Sequence, residues 1–260
     1  MKTVALVFLL TLQAVPLWAS SCSMYYLCYF YGGDLDLNDP NHNGLANEND
    51  AIVGGSPYGA ATYQNFVVGG DCATATCWEH SSLDVLGLFT NNLSQLTPAA
   101  GYWEIRTGVS EGNGGTLIAS GSGAVTNTPT GRSAFGYTEY HNEVDHLNVF
   151  LNGGTYWFAV VPVCTTCAGR SFNSNTSGLN SVGHDIDNQQ YFNSAFFEAN
   201  FTNANNEGVF PRFSSGVLFN YCGESCNLGG LSDVPEPSSL ILLSSGLMGA
   251  AVAARRRLGK

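Results

Sequence analysis

Hydrophobic and polar positions alternate in short segments through most of the chain. Trp103 and Ile105 alternate with Tyr102, Glu104 and Arg106, and Leu147, Val149 and Leu151 alternate with His146, Asn148 and Phe150. A period of two predicts strands with one buried face. The strands predicted in this way are Met24–Tyr31, Thr62–Val68, Leu83–Thr90, Gly101–Thr107, Thr116–Ala119, Ser133–Tyr140, His146–Leu151, Thr155–Val163 and Val217–Tyr221.

Gly, Asn and Ser separate these segments, and Asn152-Gly153-Gly154 is typical turn chemistry before an apolar strand. No helical pattern of twelve residues is found between the two ends of the chain. Many short strands with turns between them predict an all-β fold, a β-sandwich or jelly roll, over residues 20–226.

The N-terminal segment has a different, continuous apolar pattern. Lys2 precedes the apolar residues Val4–Leu12, and Pro16 and small residues follow as far as Ala19. This order predicts a helical secretory signal peptide at 1–19. In an alternative interpretation, Ala19-Ser20-Ser21-Cys22 resembles a lipobox, and export would then attach a lipid to Cys22.

The C-terminal segment 234–260 follows a short linker at 227–233. A rigid Pro-Glu-Pro triplet precedes an apolar run at Leu240–Ala254, and a cluster of arginines ends the run. As a helix the run would span about 22 Å, less than the ~30 Å hydrocarbon core of a bilayer. The arginines favour the cytoplasmic side of the membrane. The segment therefore predicts transient retention at the inner membrane.

This order of triplet, hydrophobic helix and arginines closely resembles the PEP-CTERM sorting signal that bacterial exosortases recognise. The resemblance implies an exported protein of the cell surface or extracellular space, with an exosortase-type processing enzyme as its partner. Proteins of that kind are associated with extracellular polysaccharide and biofilm matrix. The implied sorting residues are Pro235, Glu236, Pro237, Arg255, Arg256 and Arg257.

The middle of the chain carries a second resemblance. Tyr102–Gly121, which includes GTLIASG, and Leu151–Pro162, which includes GTYW, are similar to jelly-roll domains of exported bacterial surface proteins. This resemblance implies a fold and a cell-surface setting. It implies no catalytic residue.

Charge is distributed unevenly along the chain. Between Ser20 and Asp233 there are four arginines, no lysine and nineteen acidic residues. A surface of that sign repels nucleic acid and anionic lipid, and it attracts cations. We therefore expect no nucleic-acid partner.

The eight cysteines lie in close pairs. In an oxidising compartment such pairs favour disulfides that close short loops. Alternatives are a redox motif at Cys164–Cys167, or a four-sulfur zinc site that adds Cys222 and Cys226, but both need reduced thiols. The predicted pairs are Cys22 with Cys28, Cys72 with Cys77, Cys164 with Cys167, and Cys222 with Cys226.

A twelve-residue frame at Asp39–Asp50 resembles an EF-hand or dockerin calcium loop, with Gly44 at the turn. Pro40 at its second position, Asn at three ligand positions, Asp instead of Glu at its last position and non-helical flanks depart from that pattern. The alternative is an Asn-rich surface loop. The candidate ligands are the side chains of Asp39, Asn41, Asn43 and Asp50 and the carbonyl of Leu45.

Tyr102, Glu104 and Arg106 would share one face of a strand. An aromatic ring beside a planar donor and an acceptor suits a sugar, so these residues are a candidate glycan site. In the alternative interpretation, Tyr102 covers an edge of the core and Arg106 pairs with Glu104.

Two further groups could bind a metal. Glu139, His141, Glu143 and Asp145 would share a strand face, which is otherwise a solvated sheet face or loop. The segment His184–Asp187 contains two aspartates for calcium, or is an ordinary loop.

Recognisable motifs for a nucleophile, a zinc protease or a phosphate-binding loop are absent from the sequence. We therefore expect a non-catalytic, exosortase-sorted surface or extracellular-matrix protein, with polysaccharide and calcium as candidate ligands. The alternative is an extracellular glycan-active hydrolase, whose two carboxylates would meet in the fold about 5–9 Å apart.

Overall fold

The computed structural model describes residues 28–35, 37, 44–50, 59–69, 82–164, 169–207 and 212–219. The chain divides into two compact units, Met1–Asn220 and Tyr221–Lys260, and the described residues all belong to the first. The predicted signal peptide, linker and sorting segment lie outside the described residues. Their boundaries therefore stay predictions.

The described residues form two sheets whose strand pairs are antiparallel, apart from one short parallel pair. The first sheet contains β1 (Cys28–Tyr31), β2 (Gly44–Ala46), β5 (Ser82–Ser94), β8 (Thr126–Ala134), β9 (Tyr137–Val144), β10 (Val149–Asn152), β12 (Ser171–Thr176), β15 (Arg212–Phe213) and β16 (Ser215–Phe219). The second contains β3 (Asn49–Asp50), β4 (Ala61–Val68), β6 (Ala100–Thr107), β7 (Thr116–Ala124), β11 (Gly154–Cys164), β13 (Tyr191–Ser194) and β14 (Ala199–Asn203). The expected all-β fold is confirmed, and the two sheets are consistent with a β-sandwich.

One 3-10 turn, Ala204–Glu207, interrupts this pattern. Within the part of the chain that is described, no helix is long and apolar enough to cross a membrane.

The first sheet is organised around β5, which has thirteen residues. Along one edge β5 pairs with β16 and β12, and along the other it pairs with β9 and β10. The second sheet has the order β14-β13-β4-β11-β6-β7, and β3 joins the end of β11 in parallel.

Aromatic rings fill one part of the space between the sheets. Phe30 of the first sheet lies 6.3 Å from Phe66 of the second, and Phe66 lies 5.7 Å from Phe158, measured between ring centroids. All three side chains are buried. Burying one such ring contributes roughly 1.5–3 kcal/mol, so this cluster is a main source of contact between the sheets.

Another part of the same interface is polar. Asn173 of β12 donates to the hydroxyl of Thr62 at 2.7 Å and so connects the two sheets. Asn47 donates to the carbonyl oxygen of Val160 at 2.8 Å, and Asn92 donates to the hydroxyl of Ser171 at 2.7 Å. These amides are buried, and the hydrogen bonds offset the cost of removing them from water.

Two strand predictions need correction. The segment Ser133–Tyr140, predicted as one strand, is a hairpin turn between β8 and β9, because Phe135 and Gly136 have φ of 53° and 80°. The strand predicted from His146 begins only at Val149. His146 and Asn148 have φ of 57° and 51°, which a strand does not accommodate.

Candidate functional site

Tyr102, Glu104 and Arg106 lie on the face of the second sheet that points away from the first sheet. Their neighbours Trp103 and Ile105 point into the interface and are buried, as the alternation predicts. Glu104 departs from the expectation of an open face, because only 1% of this residue is exposed.

The burial of Glu104 follows from the residues that cover this face. Tyr63, Trp157, Tyr191 and Phe201 form a buried cluster there, and Tyr102 packs against it. The ring of Phe201 lies 4.9 Å from the ring of Tyr63. The sheet is therefore covered on both faces at this point.

Every oxygen of the Glu104 carboxylate is hydrogen bonded. Arg106 donates from Nε to Oε1 at 2.6 Å and from Nη2 to Oε2 at 3.2 Å, which is a two-pronged ion pair. The hydroxyl of Tyr63 donates to Oε1, and that of Tyr102 donates to Oε2 at 3.1 Å. These contacts correspond to the alternative interpretation, in which Arg106 pairs with Glu104. Glycan binding at these three residues stays a prediction.

Arg106 has two further contacts. It donates from Nη1 to the carbonyl oxygen of Gly114 at 3.0 Å, and its guanidinium lies 5.4 Å from the centre of the Phe201 ring. Its side chain is 17% exposed. A ligand on this face would thus meet the edge of a guanidinium whose charge is already compensated.

Each of the other three arginines in the described residues is also paired with an acid. Arg132 binds Asp34 at 2.9 Å and also binds Glu139. Arg170 binds Glu48 at 2.6 Å, and its guanidinium lies near the rings of Phe172 and Phe197. Arg212 binds Asp185 at 3.0 Å and Asp187 at 2.9 Å.

These pairs account for every buried carboxylate in the described ranges. The five are Asp34, Glu48, Glu104, Glu139 and Asp185, and each has an arginine partner. A buried carboxylate without a partner is costly, so the arginines are required where they lie. Because the sequence between Ser20 and Asp233 has no lysine and no fifth arginine, its permanent positive charges are all held against buried acids.

The ion pairs of Arg132 belong to a longer hydrogen-bonded network that includes residues of β1, β5 and β9. The hydroxyl of Tyr31 donates to Asp34 at 2.6 Å, and Asn91 donates to that hydroxyl at 3.1 Å. Burial, and then the Asp34 carboxylate, raise the pKa of Tyr31 well above its usual value. Burial opposes the charge on Arg132, but Glu139, Tyr31 and Asp34 raise the pKa of its guanidinium. The phenol therefore stays protonated and the guanidinium stays charged at neutral pH.

The carboxylates and histidine of β9 continue this network. Asn91 Oδ1 lies 3.0 Å from His141 Nδ1, and His141 Nε2 lies 3.1 Å from Glu143. The interpretation of this face as a solvated sheet face is wrong for Glu139 and His141, which are 0% and 6% exposed. In the described part of the chain, no three His, Cys, Asp or Glu residues are grouped so as to hold a metal.

The His184–Asp187 segment contains a buried acid. Asp185 is 8% exposed, and it accepts hydrogen bonds from Gln64 and Arg212 at 3.3 and 3.0 Å. Burial raises the pKa of Asp185, although Arg212 acts in the opposite direction. The ordinary-loop interpretation overlooked this burial.

Most of the predicted calcium ligands lie outside the described residues, namely Asp39, Asn41 and Asn43. Leu45 lies in β2 opposite Asn173, and the backbone of Asp50 lies at the end of β3 opposite Cys164. Calcium binding at this frame therefore stays a prediction.

Two of the eight cysteines lie among the described residues. Cys28 is the first residue of β1, and Cys164 is the last residue of β11. Both members of the predicted pair Cys72 and Cys77 lie outside the described residues, so the structure does not confirm that pair. The same is true of Cys222 and Cys226, and of Cys22 and Cys167, the expected partners of the two described cysteines. All four pairings, including the one between Cys72 and Cys77, stay predictions.

Comparison with known proteins identifies the C-terminal segment. A family model described as the PEP-CTERM protein-sorting motif matches residues 233–257. The chain carries a PEP-CTERM sorting motif. The motif indicates an exported, cell-surface protein with an exosortase as its processing partner, as the resemblance implied. No curated protein and no solved structure matches the chain.

Proposed function

We propose that this protein is a non-catalytic β-sandwich of the cell surface or extracellular matrix. In this proposal the C-terminal segment holds it transiently at the inner membrane until an exosortase-type enzyme releases it. The observation that carries the proposal is the PEP-CTERM motif at residues 233–257. The apolar run within it is about 22 Å long as a helix, which suits retention better than permanent anchoring.

The buried charges support a structural role for the sandwich. A glycan-active hydrolase needs a general acid and a second carboxylate that face the substrate. Each buried carboxylate of the described residues is instead held by an arginine, and Glu104 has hydrogen bonds at both oxygens. This arrangement favours the non-catalytic function over the hydrolase.

The same charge distribution bears on the ligand. With the four arginines between Ser20 and Asp233 committed to internal acids, the described residues present no free guanidinium patch for an acidic polymer. Its excess of acidic residues would repel such a polymer and attract calcium. We therefore propose that any polysaccharide bound is neutral, and that calcium binds at Asp39–Asp50.

The sorting step can be tested in the native host with antibodies against the sandwich. A variant with Pro235, Glu236 and Pro237 changed to alanine should accumulate at full length in the inner membrane, as should the wild type in a strain without exosortase. The control Asn227→Ala in the linker should be released like the wild type. Normal release of the triplet variant would contradict the proposed route.

The ligand class needs a separate experiment. Mature protein should be applied to a panel of neutral and acidic extracellular polysaccharides, with binding and release of reducing ends both measured. The proposal expects no release of reducing ends and no retention on acidic polymers. Hydrolysis of any polysaccharide would favour the alternative function.

A further inference from the structure

Strand β7 is the outermost strand of the second sheet. It pairs with β6 along one edge, and no other strand of the described residues pairs with its second edge. Its side chains are exposed or half-buried along its whole length, and Leu117 and Ile118 are 46% and 44% exposed. Such an edge presents backbone donors and acceptors that another strand can use.

The edge lacks two of the usual protections against pairing, proline and charge. β7 contains no proline and no charged residue, and the uncharged stretch continues from Asn113 to Gly131. A bulge at Ile118 is present, since Ile105 pairs with Ala119 while Arg106 pairs with Leu117. The bulge leaves Ala119–Ala124 as a regular segment about 20 Å long.

The charge of the protein limits where a second copy can dock. Two copies carry the same strong negative charge and repel each other, because the four arginines of the described residues are each paired with a buried acid. They can approach closely only through an uncharged surface, and β7 offers one.

The sizes of the β7 side chains are self-complementary. A symmetric pair of antiparallel strands places residue i opposite residue j in both copies. With the two-fold axis at Gly121, Ala119 lies opposite Gly123 and Ser120 opposite Ser122, all within the regular segment. Small side chains thus meet small side chains. Gly123 has no atom within 4 Å of the place where a Cβ would lie, so its face is open to a neighbour.

We infer that β7 is a homotypic docking strand, through which two copies of this chain join their second sheets by antiparallel pairing centred on Gly121. The interface is made of backbone hydrogen bonds and small uncharged side chains. Repulsion between the two negative bodies opposes it. Its strength should therefore increase with salt, the reverse of an interface built on ion pairs.

The test is sedimentation velocity of the mature protein over a range of concentrations, at low and at high salt. The wild type should show a monomer–dimer equilibrium whose dimer fraction rises with salt. Gly123→Glu places a charged side chain opposite Ala119 of the second copy, twice by symmetry, with no cation in the segment to compensate it, and should weaken association by at least about tenfold. Gly123→Ala at the same position should keep it, and so should Phe150→Glu, which adds a charge at a residue of β10 that is 64% exposed.

Circular dichroism and urea unfolding of Gly123→Glu establish that the variant is folded, which the open space around Gly123 leads us to expect. A wild type that stays monomeric at every concentration and salt would overturn the inference. Equal association of Gly123→Glu and Gly123→Ala would overturn it too, since the dimer would then use another surface.

Discussion

Replacing Arg132 by methionine tests whether the arginines are required by the buried acids. Arg132 is 3% exposed and holds two carboxylates, Asp34 and Glu139, whose side chains are 6% and 0% exposed. Methionine keeps much of the volume and removes the charge. Removing one partner of a buried ion pair typically costs about 3–5 kcal/mol, because a charge stays buried without compensation. Against a typical total stability of about 5–15 kcal/mol, this loss is large.

The assay is urea unfolding at neutral pH, followed by tryptophan fluorescence. For a domain of this size the expected loss corresponds to a fall in melting temperature of roughly 6–20 °C. The double variant Arg132→Met with Glu139→Gln removes one uncompensated charge and should recover part of the loss. Arg212→Met is the control, because the Arg212 side chain is 25% exposed and solvent compensates part of its removal.

The size of the loss and its recovery in the double variant separate charge from packing. A loss below about 1 kcal/mol, the level of a surface ion pair, would refute the reasoning. A large loss that Glu139→Gln does not reduce would attribute the effect to packing instead of charge.

Three other predictions concern acid, disulfides and calcium. Burial raises the pKa of Asp185 in the folded state above its value in the unfolded chain. The stabilisation that comes from protonating Asp185 is therefore fully present below the unfolded-state pKa, and it is lost as pH rises through the folded-state pKa. The stability advantage of wild type over Asp185→Asn, measured by urea unfolding, should therefore grow toward about pH 4, and an advantage that grows toward neutral pH would contradict this. Non-reducing peptide mapping should find disulfides within the close cysteine pairs, such as Cys72 with Cys77. Each should stabilise the fold by less than about 3 kcal/mol, because the loops are short. Free thiols or bound zinc would contradict this prediction. Calcium should raise the melting temperature of the wild type but not of Asp39→Ala, with a Kd on the order of 10⁻⁴–10⁻³ M; equal, negligible shifts would leave a surface loop.

Much of the fold could be predicted from local patterns. Strands β4, β6 and β11 begin and end within one residue of the prediction, because buried apolar residues alternate or run continuously there. The strand β12 was missed because its sequence, SFNSNT, is polar. It is nevertheless buried, and Asn173 donates hydrogen bonds to Thr62 of the second sheet and to Ser215 of the first. The pattern of residues within one strand does not show that a polar side chain has a hydrogen-bonding partner on another strand.

The candidate site shows the same limit. Alternation correctly placed Tyr102, Glu104 and Arg106 on one face. It could not show that Phe201 covers that face, because Phe201 is nearly a hundred positions away in the chain. One signal was available: four arginines and no lysine among many acids between Ser20 and Asp233. Arginine forms two-pronged pairs with carboxylates that lysine does not, so this composition points to buried ion pairs.

The most direct test of the proposed function is mass spectrometry of the mature protein from the surface of its native host. The proposal predicts a C-terminus near Pro235–Pro237, and therefore no surface peptide that contains Arg255–Arg257. It also predicts that the full-length chain appears only in the inner membrane, and accumulates there when the exosortase is deleted. Surface protein with an intact Lys260 would contradict the proposal.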